Sequence, residues 1–212
     1  MDATVAVVAV ESVGPDTVAI EFESPPEFEA SPGQFVKLST TLDGEEVSRF
    51  YTLSSPDVEE TFEVTVGVDP DESGSFSERL AGLAPGEEIR VSGPFGNQFY
   101  EGESRVVVLA GGPGVGPAVA VGERAREANA DVAVVYRDDR PAHEERLDAL
   151  REAGGSVVVT HGPIADAVAD AVTGGDDEQV FVYGFAAFVD EATDALEATG
   201  ADASTAKIEN FG

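Results

Sequence analysis

From residue 2 to residue 92 the chain alternates apolar and polar positions with a period of two. Val5 and Val7 fall on one face of 2–10. In 17–23, Val18, Ile20 and Phe22 point one way and Glu21 and Glu23 the other. Successive side chains of a strand leave opposite faces, so this alternation predicts half-buried strands. The same pattern gives strands at 34–38, 49–55, 61–68 and 88–92. Gly14-Pro15, Pro25-Pro26, Pro32-Gly33, Asp43-Gly44 and Pro85-Gly86 break the chain between them. One short helical stretch is expected at 76–83. Short strands punctuated by Gly and Pro predict an antiparallel β-barrel.

Past residue 100 the period changes. RVVVLA at 105–110 is a continuous apolar run, as in a strand covered on both faces. Strands at 132–136, 156–160 and 180–183 then alternate with helices at 116–129, 143–153, 164–172 and 185–199. The last helix is read with Phe185, Phe188, Val189, Ala192 and Leu196 on one face. Strands alternating with helices predict βαβ units and a parallel sheet. The expected organisation is two domains: a β-barrel over 1–99 and an α/β parallel-sheet domain over 100–212. Their seam falls in 97–104, where Gly and acids cluster.

Composition adds one unusual fact. Apolar content is 42%, enough for an ordinary core. Twelve Lys and Arg face 42 Asp and Glu, for a net charge of −30, and the lysines are Lys37 and Lys207 alone. Such a surface excludes nucleic acid and anionic membranes as partners. It also repels itself, so high ionic strength is expected to support the fold, as in a halophile with a salty cytoplasm. No apolar run is long enough for a transmembrane helix. The apolar residues near the start lack the basic segment of a secretory signal. Cysteine is absent, which excludes disulfides and thiolate metal sites. His143 and His161 lie far apart without metal-ligand spacing, and no metal site is expected.

Three stretches carry candidate chemistry. In Arg49-Phe50-Tyr51-Thr52-Leu53-Ser54-Ser55, strand alternation puts Arg49, Tyr51 and Leu53 on one face and Thr52 on the other or at the edge. The Arg fork suits a phosphate, and the Tyr ring can lie on another flat ring. A ligand with a diphosphate at one end and a polar aromatic ring at the other uses all of them. The plain alternative is a strand with a surface Arg and a half-buried Tyr. Gly111-Gly112-Pro113-Gly114-Val115-Gly116-Pro117 follows a buried strand and opens a helix. Its backbone N–H groups and positive helix end suit a phosphate, glycine allows close approach, and Pro117 fits the first turn. The alternative is a tight turn without a ligand. Gly74-Ser75-Phe76-Ser77 begins the small helix and is either a second phosphate site or, through Ser75, a helix cap.

Together these pieces resemble the ferredoxin–NADP reductase family of flavoproteins. The resemblance rests on Pro32-Gly33-Gln34-Phe35, Arg49-x-Tyr51-Thr52-x-x-Ser55, Gly74-x-x-Ser77, Gly93-Pro94-Phe95-Gly96, Gly111-Gly112-x-Gly114-x-x-Pro117 and Glu209-x-Phe211-Gly212, in that order. It implies an FAD-binding barrel and a C-terminal domain that binds NADH or NADPH. By the same resemblance Arg49 holds the FAD diphosphate, Tyr51 stacks on the isoalloxazine and Thr52 stands near flavin N5. Val66, Gly67 and Val68 lend backbone contacts, and Gly74, Phe76 and Ser77 close on the diphosphate. Gly111, Gly112, Gly114 and Pro117 hold the dinucleotide phosphates, while Glu209 and Phe211 reach back to the flavin. The implied acceptor is ferredoxin or another small, separate electron carrier.

The chain departs from the family pattern in three places. Tyr183-Gly184-Phe185 stands where many members carry Cys-Gly-Pro, and a bulky Tyr183 is expected to reshape or block the nicotinamide pocket. That leaves two rivals to the reductase: a diaphorase that treats flavin as substrate, and an electron-transfer subunit whose partner does the nucleotide chemistry. Pro113 replaces a frequent Thr. Thr160-His161 replaces the Ser and Arg of many NADPH-using members, which favours NADH. Arg137 and Arg140 still offer cations, and Asp138 can bond ribose hydroxyls.

Overall fold

The computed structural model describes residues 1–42, 44–68 and 76–212. The amino-terminal half is built of β1 (Asp2–Gly14), β2 (Thr17–Glu23), β3 (Phe35–Leu42), β4 (Glu45–Thr52), β5 (Thr61–Gly67) and β6 (Glu88–Phe95), with helix α1 (Phe76–Ala81) between the last two. They form one sheet in the order β4-β3-β6-β1-β2-β5. Every neighbouring pair in it is antiparallel. An isolated bridge from Leu53 to Val64 brings the two edge strands together and closes the barrel. Val5, Ile20, Phe22, Val36, Leu38, Phe62 and Val64 fill its interior, the alternation that the sequence predicts.

The strands differ from expectation mainly at their ends. β1 runs four residues past 10, and β3 reaches Leu42 before a turn that includes Gly44 at φ +86°. β4 stops at Thr52 because the chain there leaves β3 to make the Leu53 bridge, so the expected strand 49–55 straddles a strand and a bend.

The second half contains β7 (Arg105–Gly111), α2 (Val115–Glu127), β8 (Asp131–Arg137), α3 (Glu144–Glu152), β9 (Ser156–Thr160), α4 (Ala165–Ala171), β10 (Glu178–Gly184), α5 (Ala186–Thr199) and β11 (Lys207–Asn210). The sheet is parallel in the order β11-β10-β7-β8-β9. Val106 to Ala110 of the central β7 are fully buried, because α2 and α3 cover one face and α4 and α5 the other. Chain order reverses between β7 and β10, so the crevice beyond their carboxyl ends, at Gly111 and Gly184, is where such sheets take ligands. The pattern did not predict β11, which is short and has one fully apolar residue, Ile208. Lys207 anchors it, donating to the Phe99 carbonyl at 2.6 Å, Glu101 at 2.8 Å and Glu103 at 2.6 Å. No helix among the described residues is long and apolar enough to cross a membrane.

Candidate functional site

A cleft of about 840 Å³ lies between the barrel and the parallel sheet. That volume is in the range of cofactor sites. The barrel wall carries Arg49, Tyr51, Thr52, Thr65, Gly67 and Val68, with Phe76 and Ser77 from the start of α1. The opposite wall carries Pro113, Pro117 and Asp138, and Phe185 and Phe211 stand at one end.

The register of β4 on β3 explains the barrel wall. Tyr51 pairs with Val36 and Arg49 with Leu38, whose side chains are interior, whereas Thr52 pairs with Phe35 on the outer face. Cross-strand partners share a face, so Arg49 and Tyr51 stand together on the Val36–Leu38 side, where both line the cleft. The Tyr51 ring lies near parallel to Phe76 at 6.3 Å, and burial pushes its hydroxyl up to about 12. The Arg49 side chain is exposed; among the described residues it bonds the Ser48 carbonyl at 2.9 Å and has no carboxylate partner. A guanidinium held by so little can accept an anionic ligand.

On the outer side, Thr52 donates to Glu209 Oε1 at 2.8 Å. The bond spans 157 residues and exists because β11 runs beside β10, placing Glu209 next to Tyr183. Burial raises the Glu209 carboxyl to about 7, against the lowering effect of the Thr52 bond. The next turn is fixed by the Phe211 N–H donating to the Gly184 carbonyl at 3.0 Å, and the Phe211 ring meets Phe185 edge to face at 5.9 Å.

The glycine cluster has a different basis from the one the sequence suggests. A Cβ at Gly114 would overlap the Tyr183 carbonyl, at Gly111 the Phe188 ring and at Gly116 the Thr65 hydroxyl. These glycines let protein, rather than ligand, approach. Gly184 is likewise pressed by Phe188, at 2.7 Å from its added Cβ. Gly112 is the exception: its φ is +56° and only Asp138 Oδ2, at 3.9 Å, comes near. From there one 3-10 turn leads into α2, and Pro113 and Pro117 present the wall.

Tyr183 is the principal correction. It is 1% exposed, stacked on Phe181 at 6.3 Å, with its hydroxyl beside Gly33 of the barrel. It does not line the cleft, so it does not block it. The residue that does stand there is Phe185, which is 53% exposed. Helical spacing puts Phe185 on the buried face of the last helix, but it precedes that helix in extended conformation, with φ −76° and ψ 163°. Val66 is also buried, so only its backbone can serve a ligand. Gly74 lies outside the described residues.

At the far end, Asp138 accepts from the Tyr136 hydroxyl at 3.2 Å and the Arg140 amide at 2.8 Å. Arg140 pairs with Asp16 of the barrel, and Arg137 with Glu191. His143, which has no metal-ligand spacing, and Arg146 instead join the two halves. His143 Nε2 lies 2.8 Å from the Thr65 hydroxyl, and burial drives the imidazole down to about 3. Arg146 joins Glu63, Ser54 and Glu123. A lone His and an Arg within a charged helix carry no local signal of these partners.

Comparison with known proteins agrees with the architecture. Residues 4–100 match the family model described as an oxidoreductase FAD-binding domain. Over 129 residues the chain is 35% identical to the probable dihydroorotate dehydrogenase B (NAD(+)) electron transfer subunit of Methanopyrus kandleri, covering 61% of this chain and 46% of that protein. The chain thus spans less than half the length of that relative. Among solved structures, the FAD/NAD-binding domain of a nitric oxide dioxygenase from Vibrio cholerae superposes with a TM-score of 0.85 at 20% identity, covering 99% of this chain and 98% of that one. A ferredoxin NADP+ reductase from Neisseria gonorrhoeae, with bound FAD and NADP, superposes with a TM-score of 0.81 at 17% identity, covering 100% and 99%. A barrel whose rim offers an uncommitted Arg, a half-buried Tyr and a Thr, facing the switch point of a parallel sheet, fits FAD, in agreement with the match of residues 4–100 to the model of an oxidoreductase FAD-binding domain.

Proposed function

We propose that the chain is an FAD-dependent NAD(P)H reductase that passes electrons to a separate acceptor such as ferredoxin. In this reading residues 1–99 hold the flavin and residues 100–212 the nucleotide. The supporting observation is the meeting of Thr52, Glu209, Phe185 and Phe211 at one end of a cleft whose other wall is a switch-point turn.

When bound, FAD supplies a group that accepts two electrons together and releases them singly. The chain supplies binding and orientation. Arg49 would hold the diphosphate through its guanidinium, and Ser77, at the start of α1, lines the same cleft. Tyr51 offers its face to the ring system, backed by Phe76. Glu209 orients the Thr52 hydroxyl and, with a carboxyl near 7, gains and loses its proton within the neutral range. The Phe185–Phe211 pair excludes water and must part or tilt to admit a nicotinamide. Orientation of this kind is worth several powers of ten in rate. Gly112 and the start of α2 would receive the nucleotide phosphates, with Pro113 and Pro117 shaping the wall beside them.

NADH is the favoured nucleotide. Asp138 borders the cleft where a ribose hydroxyl is recognised, and a 2′-phosphate there meets a carboxylate. The nearby cations Arg137 and Arg140 are paired with Glu191 and Asp16. The likeness to an electron transfer subunit supports a second reading, in which the chain hands electrons to a catalytic partner subunit. The charge of −30 supports a salt-rich cytoplasmic setting for either.

The test is anaerobic titration of the FAD-loaded protein with NADH and with NADPH in molar salt, followed at the flavin absorbance. Bleaching by NADH at lower concentration than by NADPH is expected. A yellow protein that neither nucleotide bleaches refutes the reductase.

A further inference from the structure

Behind the cleft a cluster of charged and polar groups ties the two halves together, and none of the roles above uses it. It is organised by the first turn of α3. His143, in left-handed conformation at φ 53°, donates its N–H to the Val13 carbonyl at 2.8 Å, and its Nε2 meets the Thr65 hydroxyl at 2.8 Å. Arg146 follows on the same side of the helix. Its Nη1 donates to Glu63 Oε1 at 2.9 Å, and its Nη2 to the Ser54 carbonyl at 2.7 Å. The other side of the fork takes Glu123 of α2, through Nε at 2.8 Å and Nη2 at 2.6 Å. Glu63 also accepts from the Ser54 hydroxyl at 2.7 Å, and its own N–H donates to Ser55 Oγ at 3.1 Å.

The partners are notable for what they continue into. Ser54 and Ser55 end the segment that begins with Arg49, Tyr51 and Thr52. Glu63 and Thr65 lie on β5, which ends at the cleft in Gly67. Glu123 lies on α2, whose first turn supplies Pro117 to the opposite wall. One guanidinium therefore bonds both barrel segments that form the flavin wall and the helix that forms the nucleotide wall. Gly116 brings the walls into contact, because a Cβ there would strike Thr65 and Ser54. The side chains of Arg146, Glu63 and Glu123 are each about three-quarters buried, and the two carboxylates raise the pKa of Arg146 further, against its desolvation. A planar fork fixed at several points transmits position in a way that a single flexible ammonium does not.

We propose that Arg146 is a positioning residue: it sets the spacing between the two walls of the cleft and touches neither flavin nor nucleotide. The proposal rests on the reductase reading. It predicts a defect in the step that needs both walls, with each half-site intact. A misplacement of the order of 1 Å costs roughly 100-fold in such a step.

The experiment uses the FAD-loaded protein in stopped flow, with flavin reduction by NADH as the readout. Arg146→Met alone leaves Glu63 and Glu123 facing each other and is a poor folder, so Arg146→Met/Glu63→Gln/Glu123→Gln removes the whole charge set. The triple variant is expected to retain FAD within about twofold and to require a similar half-saturating NADH. Its limiting reduction rate is expected to fall roughly 10- to 100-fold. Arg146→Lys, which keeps the charge and loses the fork, is expected to recover the melting temperature but not the limiting rate. A limiting rate within twofold of wild type in the triple variant overturns the proposal. If the triple variant does not fold, Arg146→Lys decides alone, and a wild-type limiting rate there overturns it. Wild-type protein that neither nucleotide reduces overturns the reductase reading and the proposal with it. Reducible wild type with an unaffected variant overturns only the positioning role.

Discussion

Glu209 makes the protein less stable as the pH rises, and Glu209→Gln isolates that effect. The carboxyl ordinarily titrates near 4.5, and burial beside Thr52 and β10 raises it to about 7. Below pH 4.5 it is protonated in both folded and unfolded chains and contributes nothing to the pH dependence. Between about 4.5 and 7 only the unfolded chain releases the proton, so the native state binds more protons and stability falls. Above 7 the native state carries a desolvated charge at a cost of about 3 kcal/mol. Gln fills the same volume and can accept the same Thr52 bond without ionising. The assay is denaturant unfolding of wild type and variant at fixed salt and fixed excess FAD, at pH 5 and pH 8. Every other carboxylate titrates alike in both proteins and cancels in the difference. Glu209→Gln should exceed wild type by under about 1 kcal/mol at pH 5 and by about 3 kcal/mol at pH 8. Equal differences at the two pH values would refute the argument, because they would place Glu209 in water.

Arg49→Ala should weaken FAD binding roughly 10- to 100-fold, as loss of a charge-assisted pair does, while the melting temperature of the FAD-free protein stays within a degree or two; fluorescence titration and calorimetry measure the two. Tyr183→Phe removes a buried hydroxyl that has no partner among the described residues. It should leave stability unchanged or raise it by about 1 kcal/mol, with flavin reduction by NADH unchanged, and slower reduction would return Tyr183 to the pocket. Gly114→Ala should lower the yield of folded protein or cost several kcal/mol in denaturant unfolding, since its Cβ has only the Tyr183 carbonyl to displace. The unfolding midpoint should rise with added KCl toward the molar range, as 42 acids against 12 cations require screening.

Short-range pattern reached a good part of this molecule. Arg49, Tyr51 and Thr52 could be assigned to faces because strand alternation is set within the segment itself, and β7 could be read as a covered strand from five apolar residues in a row. Pattern failed where a side chain's surroundings come from elsewhere in the chain. Tyr183 and Phe185 lie two residues apart across the end of β10, and the turn between them sends one into the core and the other into the cleft. Neither periodicity applies at such a junction. The Gly111–Pro117 cluster looked like a ligand cradle because glycine reports close approach without saying what approaches. Mostly it is Phe188, Thr65 and the Tyr183 carbonyl. The Thr52–Glu209 and Arg146–Glu63 bonds span 157 and 83 residues, distances at which no spacing rule operates.

The placement of the few cations bears on how such an acidic chain keeps a precise site. Arg146 and Lys207 are each bonded to two carboxylates and a backbone carbonyl; Arg146 joins the two walls of the cleft, and Lys207 ties β11, which carries Glu209, to residues 99–103. Arg79, Arg90 and Arg124 instead make single exposed pairs. Such pairs contribute at most about 1 kcal/mol and weaken as salt screens them. Salt strong enough to relieve the self-repulsion of the surface therefore removes most of what the exposed pairs supply. The Arg146 set, about three-quarters buried, is screened much less. The geometry of the cleft then depends on Arg146 most in the very conditions under which the fold is most stable, and it follows that Arg146→Lys should show its largest rate defect at high salt, where the exposed Arg140–Asp16 pair between the two halves no longer compensates.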